Sequence, residues 1–135
     1  MGTPIGNLAD LSLRAKEILE NVSVIAAEDT RVTKKLLNHY KINNKLIPYH
    51  NYNEINQSKI IINKIKSGDD IALVSDAGTP CISDPGYRVV NLAKKENIKV
   101  ISIPGPSSII AALSISGIPT DHFYFEGFLP VNKGR

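Results

Sequence analysis

Three loops rich in glycine and proline are the places in this sequence where a ligand could bind. They lie before a predicted helix or directly after an apolar run, at residues 2–7, 75–80 and 104–108. Glycine lets a ligand come close to the backbone, and proline stiffens the loop around it. Exposed N–H and C=O groups could then bind the edges of an adenine or an amino acid. Any one of these loops could also be a simple turn, but three of them favour a small-ligand crevice.

Common nucleotide and metal signatures are absent from the sequence. No stretch reads G-x-G-x-x-G or G-x-x-x-x-G-K-[ST], so neither a dinucleotide site nor a phosphate-binding P-loop is supported. His39, His50 and His122 are scattered without ligand spacing, and we expect no metal. The single cysteine, Cys81, excludes an internal disulfide and indicates a reducing, cytoplasmic location. No apolar run approaches the roughly 18 residues that a membrane span needs.

Positive charge is concentrated in one segment. Residues 31–66 contain eight Lys or Arg side chains and one acid, Glu54, which gives +7, whereas the rest of the chain carries −4. Arg31, Lys34 and Lys35 stand at i, i+3 and i+4 of a predicted helix and form one basic stripe. This polarity favours an anionic partner, with nucleic acid the first candidate, although a solvated helix surface would have the same composition.

Helical and strand-like segments alternate along the chain. Helices with an apolar face are predicted at residues 12–22, 30–40, 53–67, 84–96 and 107–114. Apolar runs between them predict strands at 24–27, 46–47, 71–75 and 100–103, and a further strand at 123–126. Ser12, Thr30 and Asp84 are the expected capping residues of the first, second and fourth helices. The alternation predicts an α/β fold with a mostly parallel sheet flanked by helices, in which ligands bind at the carboxyl ends of the strands.

One segment carries a family resemblance. Residues 75–86, Ser-Asp-Ala-Gly-Thr-Pro-Cys-Ile-Ser-Asp-Pro-Gly, resemble the signature of the ribosomal RNA small-subunit methyltransferase I family. That family comprises ribose 2′-O-methyltransferases within the tetrapyrrole methylase superfamily. Flanking segments agree with it in order and spacing, at residues 3–8, 27–31, 103–107 and 125–130. The resemblance therefore covers essentially the whole chain.

The resemblance implies a domain organisation. Members of the superfamily have two α/β domains, bind S-adenosyl-L-methionine between them and usually form homodimers. Residues 1–125 correspond to the tetrapyrrole methylase-like N-terminal domain without its opening strand, and residues 126–135 to the start of a linker to a second domain. Because the second domain helps to close the cofactor site, we expect this chain alone to be inactive.

The resemblance also implies site residues. Those carried over as cofactor contacts are Ile5, Asp76, Ala77, Gly78, Thr79, Ile82, Ser107, Ser108 and Ile109. Asp76 could balance the charge of a sulfonium, with a turn-capping role as the alternative. Ser107 and Ser108 offer amides and hydroxyls at a helix start, which suit a carboxylate. Glu28 and Asp29 are candidate bases for a ribose hydroxyl, with loop-anchoring salt bridges as the alternative.

The activity implied by the resemblance is 2′-O-methylation of a cytidine in small-subunit (16S) ribosomal RNA, within a partly assembled 30S particle. Arg31, Lys34 and Lys35 would then contact RNA phosphates. Two alternatives stay open: a superfamily methyltransferase acting on a tetrapyrrole or other small acceptor, and an inactive truncated cofactor-binding domain. The basic segment favours RNA, because a small acceptor needs no extended cationic face.

Overall fold

A three-stranded parallel sheet forms the centre of the fold. The structure is a computed structural model, and it describes residues 1–128. The strands are β1 (Val24–Ala27), β2 (Leu46–Pro48) and β3 (Ile71–Val74), in the order β2-β1-β3. The helices are α1 (Leu13–Asn21), α2 (Thr30–His39), α3 (Glu54–Lys66), α4 (Tyr87–Lys95) and α5 (Ser108–Ser114), preceded by a short 3-10 helix, Leu8–Asp10. The predicted α/β class with a parallel, helix-flanked sheet is confirmed.

Helices cover both faces of the sheet because β1 is apolar on both sides. All four of its residues are buried, and Ile25, Ala26 and Ala27 alternate between two cores. Ile25 and Ala27 pack in a core with buried residues of α1 and α2, Ala15, Leu19, Leu36 and Leu37 among them. Ala26 packs in a core with residues of α3 and α4, namely Ile61, Ile62, Val89 and Ala93. Continuous apolar runs are typical of parallel strands for this reason.

The strand register brings the three carboxyl ends to one edge of the sheet. Ala27, the last residue of β1, pairs with Pro48 of β2 and with Val74 of β3. The residues that follow each strand therefore stand level with one another. This edge is where the sequence predicted the ligand site.

Two predicted capping residues are wrong, one by one residue and the other by two. Asp29, rather than Thr30, is the N-cap of α2, and its side chain accepts a hydrogen bond from the Arg31 N–H. Gly86, rather than Asp84, precedes α4. Gly86 has φ +142°, a conformation that favours glycine and is not helical, so the helix cannot begin before Tyr87.

The strands predicted at 100–103 and 123–126 are also wrong. Residues 100–103 form no strand, and Ile101 is 62% exposed. Met1 and Gly2 lie between this segment and β3: the Met1 amine donates to the Leu73 carbonyl (2.9 Å) and the Gly2 N–H donates to the Ile103 carbonyl (2.9 Å). One bond on each side is too little for a ladder. Residues 123–126 likewise form no strand and are exposed. Most of the predicted linker, residues 129–135, lies outside the described residues.

Candidate functional site

The three glycine–proline loops meet at the carboxyl edge of the sheet. Thr3 and Gly78 form an antiparallel bridge, in which the Thr3 N–H donates to the Gly78 carbonyl (2.9 Å) and the Gly78 N–H donates back (3.2 Å). Gly2 packs against Gly105 so closely that a Cβ on Gly2 would lie 2.7 Å from the Gly105 Cα. The structure thus brings together the segments in which the sequence placed the crevice, residues 2–7, 75–82 and 104–109.

Buried polar groups fix the junction between the first two loops. The Thr3 side chain is buried, and its Oγ1 lies 3.3 Å from the carbonyl oxygens of both Ser75 and Gly78. Ser75 is buried as well. Gly78 has φ +80°, a conformation that a side chain would strain, and Ile5 Cγ2 lies 3.6 Å from where its Cβ would be. Because the buried hydroxyl has acceptors within reach, this junction is a rigid base for the exposed part of the loops.

Three acidic residues interlock at the same edge. The Asp29 N–H donates to Asp76 Oδ1 (3.0 Å), and the Asp76 N–H donates to Glu28 Oε2 (3.1 Å). The loop after β1 and the loop after β3 therefore hold each other through side chains, and the Asp76 carboxylate acts as more than a cap of its own turn. These bonds join the segments of Glu28, Asp29 and Asp76, which the sequence singled out separately.

The environments of Glu28 and Asp29 differ in ways that separate their chemistry. Burial raises the pKa of Glu28. The hydrogen bond from the Asp76 N–H lowers this pKa in part, and the nearby negative charges of Asp76, Asp84 and Asp29 raise it further. Hydrogen bonds from the Arg31 side chain and N–H lower the pKa of Asp29 to about 2. A carboxylate with a raised pKa is the stronger base, so Glu28 suits proton transfer and Asp29 suits anchoring.

The predicted cofactor residues are all accessible. Each of the nine is at least partly exposed. The most exposed among them are Asp76, Ala77, Thr79, Ile82 and Ser108. Ser107 is the N-cap of α5, where its Oγ accepts from the Ile110 N–H (3.4 Å). Ser107, Ser108 and Ile109 begin two residues after Gly105, which touches Gly2. One ligand could therefore reach all three loops.

The basic stripe lies beside this edge on α2. Lys34 and Lys35 are exposed, and within residues 1–128 neither has an acidic side chain at ion-pair distance. Arg31 is 87% exposed and pairs with Asp29 (2.6 Å), which neutralises part of its charge. A shallow depression of about 440 Å³ is lined by Thr30, Arg31, Lys34, Leu46 and Pro48. This depression could accept an anion beside the sheet edge that carries Glu28, Asp29 and Asp76.

His50 is a residue at this edge that the sequence considered only as a metal ligand. It lies two residues beyond Pro48, level with Asp29 in the parallel register. Its Nδ1 is buried and has no hydrogen-bond partner among the residues that the structure describes. A buried ring nitrogen without a partner is rare, and this makes His50 a further candidate for the site. The rule that parallel strands end at one edge could have found it.

Residues 1–128 contain neither a cluster of metal ligands nor a membrane-spanning helix. Within residues 1–128, no three His, Cys, Asp or Glu side chains are grouped so that they could hold a metal ion. No helix in that range has the length and apolar composition needed to cross a membrane.

Fold and site together define an α/β domain whose glycine-rich loops converge on the carboxyl edge of a parallel sheet. Residues 1–129 match the sequence model described as Tetrapyrrole (Corrin/Porphyrin) Methylases, and the chain belongs to that family.

Similar proteins carry the name ribosomal RNA small subunit methyltransferase I. The chain is 52% identical over 131 residues to the one from Vibrio cholerae serotype O1, covering 97% of this chain and 46% of that protein. It is 52% identical over 134 residues to the one from Escherichia coli O157:H7 (98% and 47%) and 54% identical over 130 residues to the one from Xylella fastidiosa (96% and 48%). The chain spans about half the length of the curated relatives it matches.

Proposed function

We propose that this chain provides the S-adenosyl-L-methionine-binding part of an enzyme that methylates the ribose 2′-oxygen of a cytidine in small-subunit ribosomal RNA. The observation that carries the proposal is the convergence of three glycine-rich loops at one sheet edge, beside a basic helix face. The names of the relatives support the RNA substrate. The choice of a cytidine 2′-oxygen rests on the resemblance carried by residues 75–86.

The residues of the edge fit this cofactor. When bound, S-adenosyl-L-methionine supplies a methyl group on a positively charged sulfur. Asp76 is exposed at the edge, and Glu28 and Asp84 lie near enough to it for their charges to interact. Such a concentration of negative charge favours a cation. The accessible backbone of Ala77, Gly78 and Thr79, together with Ser107 and Ser108, would bind the polar parts of the same molecule.

Glu28 is the proposed acceptor of the ribose hydroxyl proton. Its carboxylate is fixed by the Asp76 N–H (3.1 Å), which places it next to the proposed sulfonium-facing side chain. Its raised pKa makes it a better base than Asp29, which is paired with Arg31. Methyl transfer also depends on holding the acceptor oxygen in line with the methyl group, and a base fixed in this way helps to orient that oxygen.

Lys34 and Lys35 are the proposed phosphate contacts. Both are exposed, and Lys34 lines the depression beside the sheet edge that carries Glu28, Asp29 and Asp76. Phosphate contacts set the position of an RNA without reading its sequence. The choice of one cytidine would then come from other parts of the enzyme and from the shape of the ribosomal particle.

The experiment that tests the proposal is a map of ribose methylation in small-subunit ribosomal RNA, by mass spectrometry, in cells with and without the gene. We expect loss of one 2′-O-methyl group on a cytidine, restored by the wild-type gene. An unchanged methylation map would overturn the proposed substrate. Titration of S-adenosylhomocysteine into the purified whole gene product separately tests cofactor binding.

A cytoplasmic homodimer is a further part of the proposal. Apolar side chains of the C-terminal part of the described chain are exposed, including Ile115 (86%), Tyr124 (85%) and Phe128 (83%). Exposed apolar surface of this kind is typical of an interface. Light scattering on the whole gene product would give the mass, and a monomer at micromolar concentration would argue against a dimer.

A further inference from the structure

A buried tyrosine connects three elements behind the candidate site. Tyr49 follows β2 and is 0% exposed, and its hydroxyl lies 3.1 Å from Glu54 Oε1, 3.1 Å from Ser58 Oγ and 3.3 Å from the Val89 nitrogen. A tyrosine hydroxyl has one proton to donate and can accept two. The Val89 N–H can only donate and the Glu54 carboxylate can only accept, so the Tyr49 proton goes to Glu54. Ser58 then donates to Tyr49, and every group is satisfied.

Glu54 extends this network to the loop formed by residues 75–86. Its Oε1 also accepts a hydrogen bond from the Gly86 N–H (2.9 Å), and its Oε2 lies 3.3 Å from Arg88 Nε. The Glu54 side chain is only 12% exposed, whereas Arg88 is 57% exposed. The carboxylate is therefore held mainly by groups on the inside of the protein, and it ties the first turn of α3 to the last residue of the loop.

The loop that ends at Gly86 has an unusual backbone. Cys81 and Ser83 have φ of +75° and +60°, in the left-handed region that side chains disfavour. Gly86 has φ +142°, and a Cβ there would lie 2.6 Å from Cys81 Sγ. Residues in such conformations persist only where the surroundings hold them, and they are common at ligand sites. The bond from Gly86 to Glu54 is a restraint of this kind.

We infer that Glu54 is a positioning residue for the cofactor site, holding residues 78–86 in the conformation that presents Gly78, Thr79 and Ile82. Glu54 itself does not reach the ligand; it acts through the Gly86 N–H. This inference rests on the proposed function only in naming S-adenosyl-L-methionine as the ligand that the loop presents.

Amide hydrogen exchange on the whole gene product without ligand tests the restraint itself. In Glu54→Ala, the Gly86 amide should exchange at least about ten-fold faster, because it loses its acceptor, and so should the Cys81 amide, which donates to the Pro85 carbonyl (3.3 Å), while the amides of β1 stay unchanged. Glu54→Gln keeps an oxygen for Gly86 and for Tyr49 and loses the charge and the acceptor only toward the exposed Arg88, so it should restore most of the protection. Unchanged exchange in Glu54→Ala would overturn the inference.

Binding of S-adenosylhomocysteine, measured by calorimetry, tests the consequence for the site. We expect Glu54→Ala to weaken binding about ten-fold or more and Glu54→Gln to bind nearly as wild type, because small displacements of binding groups are costly. Glu96→Ala is the matched control, since it removes the other α3–α4 ion pair, Lys66–Glu96 (2.9 Å), at the opposite end of α4. Its affinity should be unchanged.

The outcomes separate the inference from the proposed function. If Glu96→Ala weakens binding as much as Glu54→Ala does, general loosening of the helix pair explains the effect and the positioning role is wrong. If the wild-type protein binds no S-adenosylhomocysteine, the proposed function fails, while the exchange experiment still decides whether Glu54 holds the loop.

Discussion

Gly2 and Gly105 meet backbone to backbone where the first and third loops cross. A Cβ on Gly2 would lie 2.7 Å from the Gly105 Cα, and a Cβ on Gly105 would lie 2.8 Å from the Gly2 Cα. Neither glycine has a positive φ, so the requirement here is for space alone. The contact fixes how closely the segment that begins α5 approaches the segment that precedes the 3-10 helix.

The first prediction concerns this contact. Gly105→Ala should lower the free energy of unfolding by about 1–3 kcal/mol, because the methyl group meets backbone that cannot rotate away. It should also weaken S-adenosylhomocysteine binding by moving residues 107–109. Gly117→Ala is the control: its methyl group has open space, although φ +71° adds some strain. Chemical denaturation and calorimetry would check both: loss of S-adenosylhomocysteine affinity is expected for Gly105→Ala alone, and unchanged stability of Gly105→Ala would refute the close-contact argument.

The second prediction separates stability from activity at Glu28. Burial and nearby acids raise the pKa of this carboxyl in the folded protein. Folding therefore favours the protonated carboxyl. The stability that this carboxyl contributes is present at pH below its unfolded pKa of about 4.3 and is lost as the pH rises through its folded pKa. Glu28→Gln keeps an oxygen for the Asp76 N–H but carries no charge, so at pH 7 it should be more stable than wild type, with little difference at pH 4.

The same Glu28→Gln protein should lose methyl transfer while keeping its affinity for the uncharged S-adenosylhomocysteine. We expect kcat to fall about 100-fold or more, as for loss of a general base, with unchanged binding of S-adenosylhomocysteine. The kcat of Asp29→Asn provides the comparison, because Asp29 is paired with Arg31 and is not the proposed proton acceptor. Full activity of Glu28→Gln would exclude Glu28 as the proton acceptor.

The third prediction tests whether Asp76 faces a cation. Asp76→Asn keeps an oxygen for the Asp29 N–H but removes the negative charge, so the loop should stay in place. Binding of the sulfonium S-adenosylmethionine should weaken by about ten-fold, since a nearby charge at the protein surface contributes on the order of 1 kcal/mol or more. Binding of the uncharged thioether S-adenosylhomocysteine should hardly change. Equal weakening of both ligands, measured by calorimetry, would show that the charge of Asp76 is not directed at the sulfur.

The fourth prediction concerns RNA binding. Replacing Lys34 and Lys35 by Ala should weaken binding of small-subunit ribosomal RNA and reduce the slope of log affinity against log salt by about two, one for each lost phosphate contact. Lys94 and Lys95, exposed on α4 at the same spacing, provide the control double change. Binding measured at several salt concentrations would decide, and identical slopes for wild type and the Lys34/Lys35 variant would remove the stripe from the interface.

The fifth prediction concerns the buried tyrosine. Burial raises the pKa of Tyr49 to about 12. Its stabilising contribution should therefore be complete below the unfolded pKa of about 10 and be lost as pH rises toward 12. Tyr49→Phe leaves the Val89 N–H without its acceptor and should cost about 1–3 kcal/mol at neutral pH. Tyr52→Phe, at a side chain 99% exposed, should cost nothing in the same denaturation experiment.

Local patterns in the sequence were sufficient for the elements that surround the site. The apolar spacing of α1 to α4 and the continuous apolar runs of β1 and β3 predict one layer of helices on each face of a parallel sheet, and the structure has this arrangement. The convergence of the loops followed from one rule, that parallel strands end at a common edge. Propensity and topology were enough because these features depend on short segments.

The features that the sequence did not reveal depend on contacts between distant residues. Whether residues 100–103 become a strand depends on pairing with a neighbouring backbone. Gly2 supplies only one hydrogen bond to this segment, and Met1 supplies only one to β3. The bond from Gly86 to Glu54 joins residues 32 apart, and no local pattern marks it. The left-handed conformation of Cys81 is similarly invisible, because cysteine has no preference for it.

The connection between β1 and α2 carries the carboxylates of Glu28 and Asp29, and α2 itself carries Lys34 and Lys35 within a few residues of them. With RNA as the proposed substrate, this arrangement selects which part of a nucleotide can approach Glu28. Phosphates are drawn to the lysines and repelled by the carboxylates, so a strand of RNA lying here has to turn an uncharged part of a nucleotide toward Glu28. A ribose, which carries hydroxyl groups and no charge, meets that condition.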